Sequence, residues 1–329
     1  MLIRYFKSSF PVQFITIGIV GVVLWGIAFA DPPRMPVSDG PVPLYSFLYR
    51  WLADLPYLTT LGGLLLVLFE SFFLNYIFSR HDLVHKNSTL AAFLFLLFIS
   101  YLPPWLSLTP VNLSVVFLLF IVRALLKAYN QTEPIGMVYT AGFFVGMASL
   151  FYFPSLLLYG FLLVCFLIYR EFHWREWISS LIGLATPFLF LGVIYFLIDK
   201  LPGLSLLYLS YMENPGFSFP SVTRMDWLLI GLLGVAALLG LWSTLSRIGE
   251  KTVELRKKNL VLLWLLGWLF VAIIYANTLH FYHLGMISVC LAPFVSNFYL
   301  NLRKPFWFQF LLWLMILAVF ANTALFYIS

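Results

Sequence analysis

The residues best suited to acid–base or phosphate chemistry lie just after the first apolar stretch of the chain. Asp31 follows that stretch directly, and Arg34 and Arg50 lie in the same proline-rich segment. A carboxylate there could take a proton from a hydroxyl as a general base, and arginine side chains could bind a phosphate group through paired hydrogen bonds. The alternative is a capping loop whose ionic side chains are solvated.

A second group of polar residues lies towards the C-terminus. Arg224 is a further cation for phosphate, and its alternative role is a local ion pair in a solvated loop. His280 and His283 are three residues apart and would share one face of a helix. They could donate hydrogen bonds to phosphate or pack at the membrane interface, whereas a metal site needs a third ligand that the sequence does not locate. We therefore expect no cofactor, and a divalent metal ion is the disfavoured alternative.

Glu70 lies inside an apolar run of the sequence. A carboxyl group within a membrane span is costly, so we expect it to face the interior of the protein or to carry a proton. Two interpretations stay open: part of a polar cavity, or a structural hydrogen bond to another helix.

The composition defines the class of protein that must position these groups. Of 329 residues, 62% are hydrophobic and 10% are charged, and the mean hydropathy is +0.97. A soluble domain is about half apolar and about a quarter charged, and the strands of an outer-membrane barrel alternate apolar and polar residues. The apolar runs here are largely unbroken over roughly 12 to 20 residues, which predicts an all-α, polytopic transmembrane bundle.

Eleven apolar runs are predicted as membrane spans within a single integral membrane domain over residues 1–329. An amphipathic helix over 44–55 is predicted to lie in the interface plane within the first outside loop, because its apolar residues recur at helical spacing. The spans are placed near 11–30, 57–78, 89–102, 111–128, 135–151, 155–169, 178–198, 227–245, 260–276, 283–300 and 306–327.

The distribution of lysine and arginine predicts the orientation. With a cytoplasmic N-terminus, the only basic residues outside are Arg34, Arg50, Lys200 and Arg224, which is the bias that the positive-inside rule requires. We expect outside loops over 31–56 and 199–226, a periplasmic C-terminus and a location in a bacterial inner membrane. The cytoplasmic basic loop over 246–259 is interpreted as a solvated cluster near anionic lipid headgroups.

Two resemblances add to these expectations. The span that ends at Asp31 with its outside loop, the small-residue stretch 141–154 and the aromatic stretch 280–293 resemble the C-type membrane glycosyltransferases that use polyprenyl phosphate, and the related polysaccharide polymerases. The opening 4–11 and the stretch 170–177, followed by Gly183 and Pro187, look like an uncharacterised family of Bacteroidota inner-membrane proteins, and this likeness runs along most of the chain.

The glycosyltransferase resemblance implies a GT-C-like fold and a carboxylate in the first outside loop that acts as a base or binds metal. Asp31 occupies that place. Many members carry a further acid between helices three and four, whereas the corresponding segment here, 103–110, contains none. The Bacteroidota resemblance implies topology and compartment rather than chemistry.

Two functions follow as hypotheses. The first is a glycosyltransferase-like enzyme that uses a polyprenyl-phosphate-linked donor at the outer face, with Asp31 as the catalytic base. The remaining candidates would bind the substrate: Arg34, Arg50, Glu70, Arg224, His280 and His283. The second is a non-catalytic membrane subunit or assembly factor of a cell-envelope complex. The expected partners are membrane lipid, including a polyprenyl-phosphate carrier under the first hypothesis, and a membrane protein under the second; nucleic acid is not expected.

Overall fold

The computed structural model describes residues 5–8, 10–38, 40–101, 103, 106–169, 173–213, 224–276, 283–302 and 306–328. Within these residues every regular element is helical, which confirms the all-α prediction. Short 3-10 helices cover Ile27–Phe29, Phe153–Leu157 and Ile248–Glu250. The α-helices, α1 to α13 in chain order, are Pro11–Gly26, Pro43–Leu52, Pro56–Arg80, Leu90–Ile99, Pro110–Ala128, Ile135–Phe151, Leu158–Tyr169, Trp174–Leu197, Leu201–Glu213, Arg224–Ser246, Val253–Ile274, Leu284–Leu300 and Phe306–Ile328.

Each of the eleven apolar runs overlaps one of these helices, and α2 overlaps the predicted amphipathic stretch. Helix α9 lies in the segment that was expected to be a loop. Six helical stretches are long and apolar enough to cross a membrane: Pro11–Phe29, Pro56–Arg80, Pro110–Ala128, Trp174–Leu197, Asp226–Glu250 and Val253–Ile274. The other five runs give apolar helical stretches of 10–17 residues in the described part of the chain, and for α13 that stretch is Gln309–Leu325.

Contacts between helix ends show which termini lie together at each end of the bundle. At one end, which we call the cap end, α1 finishes and α2 lies, and Trp25 Nε1 donates a hydrogen bond to Ser100 Oγ just after α4 at 2.9 Å. At the other end, which we call the basic end, α3 finishes and α4 begins, and Asn297 Nδ2 of α12 donates to the carbonyl of Leu83 at 2.7 Å. Helices α1 and α4 therefore both finish at the cap end, whereas α3 and α12 finish at the basic end and run in the opposite direction.

Helix α4 lies in the centre of the bundle. Its residues from Leu90 to Phe98 are all buried, because α4 is apolar on every side and packs against both α3 and α12. The peripheral helices α8 and α10 instead expose large aliphatic and aromatic side chains such as Phe190 and Trp242. In a membrane protein such a surface faces lipid rather than water.

Helices α6 and α8 pack with their backbones in contact. A Cβ atom added to Gly142 of α6 would overlap the carbonyl oxygen of Ser180, and one added to Gly183 of α8 would overlap that of Tyr139. Close approach of this kind is typical of small residues at membrane helix interfaces. It also permits a hydrogen bond between the two helices, in which Ser179 Oγ donates to the carbonyl of Ile135 at 3.1 Å.

Candidate functional site

Asp31 lies at the start of an extended segment that leaves α1 at the cap end. The 3-10 helix Ile27–Phe29 follows α1, and prolines at 32, 33 and 36 then resist helix formation. The hydroxyl of Tyr45 in α2 donates to the carbonyl of Pro36 at 2.5 Å and so holds the segment against α2. The side chains of Asp31 and Arg34 are exposed.

Helix α2 is amphipathic, and its two faces have different surroundings. Tyr45 is buried against the bundle. Phe47 and Trp51, one turn apart, are 61% and 71% exposed, and their ring centroids are 6.4 Å apart. Arg50 is also exposed. The exposed face of α2 therefore combines two aromatic rings with a guanidinium group.

The segment 31–38, α2 and α9 together form what we call the cap. Phe153, at the start of the 3-10 helix between α6 and α7, packs edge-to-face against Tyr208 and Tyr211 of α9, with ring centroids 5.4 and 5.3 Å away. Met35 and Tyr45 belong to the same cluster of buried side chains. Burial raises the pKa of the Tyr208 hydroxyl to about 12. The inside of the cap is thus apolar and aromatic.

His283 lies immediately before α12 at the cap end and is only 2% exposed. Its ring packs against that of Tyr152, with centroids 5.2 Å apart. The backbone of Arg224 begins α10, but the side chain of Arg224 and the whole of His280 lie outside the described residues. The proposed pairing of the two histidines on one helical face therefore stays a prediction.

Glu70 lies in the middle of α3, about 20 Å along the helix axis from its first residue at the standard rise per residue. Its side chain is fully buried, and neither carboxyl oxygen accepts a hydrogen bond from the residues that the structure describes. It shares the buried face of α3 with Val67 and Leu74, which are also fully buried. Because Glu70 is buried midway along α3 and Asp31 is exposed at the cap end, the two carboxyl groups do not share a site.

The predicted site residues are therefore only partly brought together. Asp31, Arg34 and Arg50 lie on the outside of the cap, whereas His283 is buried at the same end and Glu70 is buried within the bundle. Among the described residues no group of three His, Cys, Asp or Glu side chains could hold a metal ion.

No protein-family model matches the sequence, and a search of the curated proteins and of the solved structures gives no significant match.

A cavity that the sequence analysis did not identify lies at the basic end. It has a volume of about 370 Å³ and is formed by the segment 82–86, the end of α10 with the turn after it, and the end of α12. Its charged and amide side chains are Asp82, His85, Lys86, Arg247, Lys251, Asn297 and Asn301. The sequence signal was present in the basic loop, where Arg247 and Lys251 are four residues apart, but these residues were interpreted as merely solvated.

Proposed function

We propose that this protein is a non-catalytic membrane subunit of a cell-envelope complex, and that the cap is the surface on which a membrane protein partner docks. The carrying observation is the two-sided construction of the cap. Its inner side is filled by Tyr45, Phe153 and the tyrosines of α9, while the described ionic side chains, Asp31, Arg34 and Arg50, are exposed.

The exposed face of the cap has the composition of a protein interface. Trp51, Phe47 and Arg50 are residue types that are enriched at the centre of interfaces, and truncation of such anchors usually weakens binding strongly. Tyr45, in the same buried cluster as Phe153, fixes α2 and therefore this face to the bundle, which lowers the entropy that binding would otherwise cost.

We further propose that all eleven apolar runs cross the membrane, including those that form the shorter helices. With the N-terminus in the cytoplasm, the cap then lies on the periplasmic side of a bacterial inner membrane and the basic end lies on the cytoplasmic side. The opposite placement of the cap and the basic end in the bundle supports this orientation.

Replacement of Trp51 by alanine is expected to weaken binding of the partner protein. In an affinity purification from gently solubilised membranes, the unaltered chain should carry one membrane protein at fixed stoichiometry. Trp51→Ala should reduce that protein about tenfold or more, as for a central interface anchor. Quantitative mass spectrometry of the purified complex measures the ratio.

Trp242→Ala is the matched control, because Trp242 is 76% exposed on α10, away from the cap. It should retain the partner in full. Equal loss in both variants, or a chain that purifies without any stoichiometric partner, would contradict the docking proposal.

A second function is favoured by the accessibility of Asp31, Arg34 and Arg50. In a GT-C-like transferase, Asp31 would take the proton of an acceptor hydroxyl while the new glycosidic bond forms and the bond from the sugar to the lipid phosphate breaks. Arg34 and Arg50 would neutralise the departing phosphate.

Asp31→Asn should abolish transfer from a polyprenyl-phosphate-linked sugar in this case, with membrane insertion unchanged. Asp54→Asn is the matched control, because Asp54 is exposed just after α2 and has no assigned role. Transfer would be followed with a labelled donor in membranes that contain the chain. Retained transfer in Asp31→Asn would remove this residue from the mechanism.

A further inference from the structure

We propose that the cavity at the basic end is a binding site for a phosphate group, with Arg247 and Lys251 as its principal ligands. This inference does not depend on the function of the cap, because the two features lie at opposite ends of the bundle. A volume of about 370 Å³ is within the range of sites for small ligands.

The wall formed by 82–86 is rigid. Just after α3, Asp82 has the left-handed conformation, at φ 58°, and the amides of Leu83 and Val84 both donate to the carbonyl of Phe78, at 3.0 and 3.3 Å. Asn297 Nδ2 then fixes the carbonyl of Leu83 to α12. The cavity is therefore preformed, which reduces the conformational entropy lost on binding.

The opposite wall positions Lys251. This residue follows the 3-10 helix Ile248–Glu250, is partly buried, and donates from Nζ to Asn259 Oδ1 at 3.1 Å. Partial burial lowers the pKa of Lys251, because the charged ammonium group loses water there. An anion in the cavity would replace that lost hydration with a charge-assisted hydrogen bond.

The charge balance of the cavity favours an anion. Asp82 pairs with Lys86 at 3.1 Å, so its carboxylate is already matched. Neither Arg247 nor Lys251 forms an ion pair with a described residue, and both line the cavity. The described lining therefore carries three basic side chains, Lys86, Arg247 and Lys251, against the single carboxylate of Asp82.

Phosphate fits these ligands better than a carboxylate does, since three oxygens can be shared between a guanidinium group and an ammonium group. The phosphate could belong to a lipid headgroup or to a soluble phosphorylated molecule. Trp242, on the last turns of α10 beside the cavity, is the kind of residue that lies at the membrane surface, where lipid phosphates also lie.

The test uses the full chain in an uncharged detergent. The probes are phosphatidic acid in mixed micelles, glycerol 3-phosphate in solution, and phosphatidylcholine as the zwitterionic lipid control. Arg247→Gln should weaken binding of the active probe about tenfold, the effect of one charge-assisted hydrogen bond. Lys127→Gln should leave it unchanged, because Lys127 is exposed at the same end on α5 but does not line the cavity.

A second variant should act in the opposite direction. Asp82→Asn removes the only carboxylate among the described lining residues and releases Lys86, so it should tighten phosphate binding. Asparagine tolerates the left-handed backbone conformation at this position, so the wall should stay intact.

Binding of phosphatidic acid alone would identify a lipid headgroup as the source, and binding of glycerol 3-phosphate would identify a soluble one. Either result supports the site, provided that Arg247→Gln weakens binding. Lack of binding to both phosphate probes, or equal weakening by Lys127→Gln, would overturn it.

Discussion

Replacement of Gly183 by valine is expected to prevent recovery of a folded, monodisperse protein. The added Cβ would overlap the carbonyl oxygen of Tyr139 and lie 3.0 Å from the amide nitrogen of Phe143, so the clash is with backbone rather than with a flexible side chain. Overpacking of a closed interface costs about 1–3 kcal/mol even where side chains can move. Here the two helices would have to separate, so the cost should reach or exceed that range.

The attachment of α8 makes this position sensitive. The buried residues of α8 form a single stripe that includes Ser180, Gly183 and Pro187, and much of the remaining surface is exposed. Helix α8 is therefore held chiefly through its contact with α6. Separation of the two helices would also break the hydrogen bond between Tyr139 Oη and Thr186 Oγ1, which are 3.1 Å apart.

Gly192→Val provides the matched control for Gly183→Val. Gly192 lies on the same helix, and a Cβ atom added there would have no atom within 4 Å. Size-exclusion profiles and melting temperatures in detergent should show loss for Gly183→Val and a value close to that of the unaltered chain for Gly192→Val. Similar behaviour of the two variants would show that backbone contact between α6 and α8 does not stabilise the fold.

The positions of most helices could be predicted from sequence, because an unbroken apolar run of this length forms a helix in nearly every case. Helix α9 was not predicted, since Pro202 and Gly203 near its start are typical of a loop. Its helical form is supported by tertiary packing, in which Tyr208 and Tyr211 rest on Phe153. Local propensity carries no information about such a contact.

The glycines that contributed to the resemblances also have a structural explanation. Gly142 and Gly146 of α6 lie four residues apart, and each directly faces the backbone of α8. Gly183 and Pro187 form the other side of the same contact. A pattern of small residues can therefore be shared between membrane proteins because of close helix packing alone, without a shared activity.

The basic cavity could not be predicted because its walls come from three distant parts of the chain. Asp82 and Lys86 are an i, i+4 pair in a turn, and Arg247 and Lys251 belong to another turn more than 150 residues later. Each pair alone suggests a solvated surface. The two turns line one cavity only because α12 packs beside both of them, with Asn297 bonded to the carbonyl of Leu83.

Replacement of Glu70 by leucine is expected to stabilise the protein. A buried polar group without a hydrogen-bond partner costs about 1–3 kcal/mol, and neither carboxyl oxygen of Glu70 has a partner among the described residues. A charged carboxylate would be costlier still, so the group is expected to carry a proton. Leucine has a similar volume and would continue the apolar stripe between Val67 and Leu74.

Glu70→Gln distinguishes the loss of polarity from the loss of the acid. The glutamine amide keeps the shape of the side chain and is still a buried polar group without hydrogen-bond partners, so the melting temperature of Glu70→Gln in detergent should stay near that of the unaltered chain. Glu70→Leu should melt at a higher temperature. A lower melting temperature for Glu70→Leu would instead indicate that this carboxyl contributes to a polar interaction inside the bundle, which is the other interpretation that the sequence left open. Because Glu70 lies on the face of α3 that packs into the core, either outcome reports on the interior rather than on the lipid-facing surface.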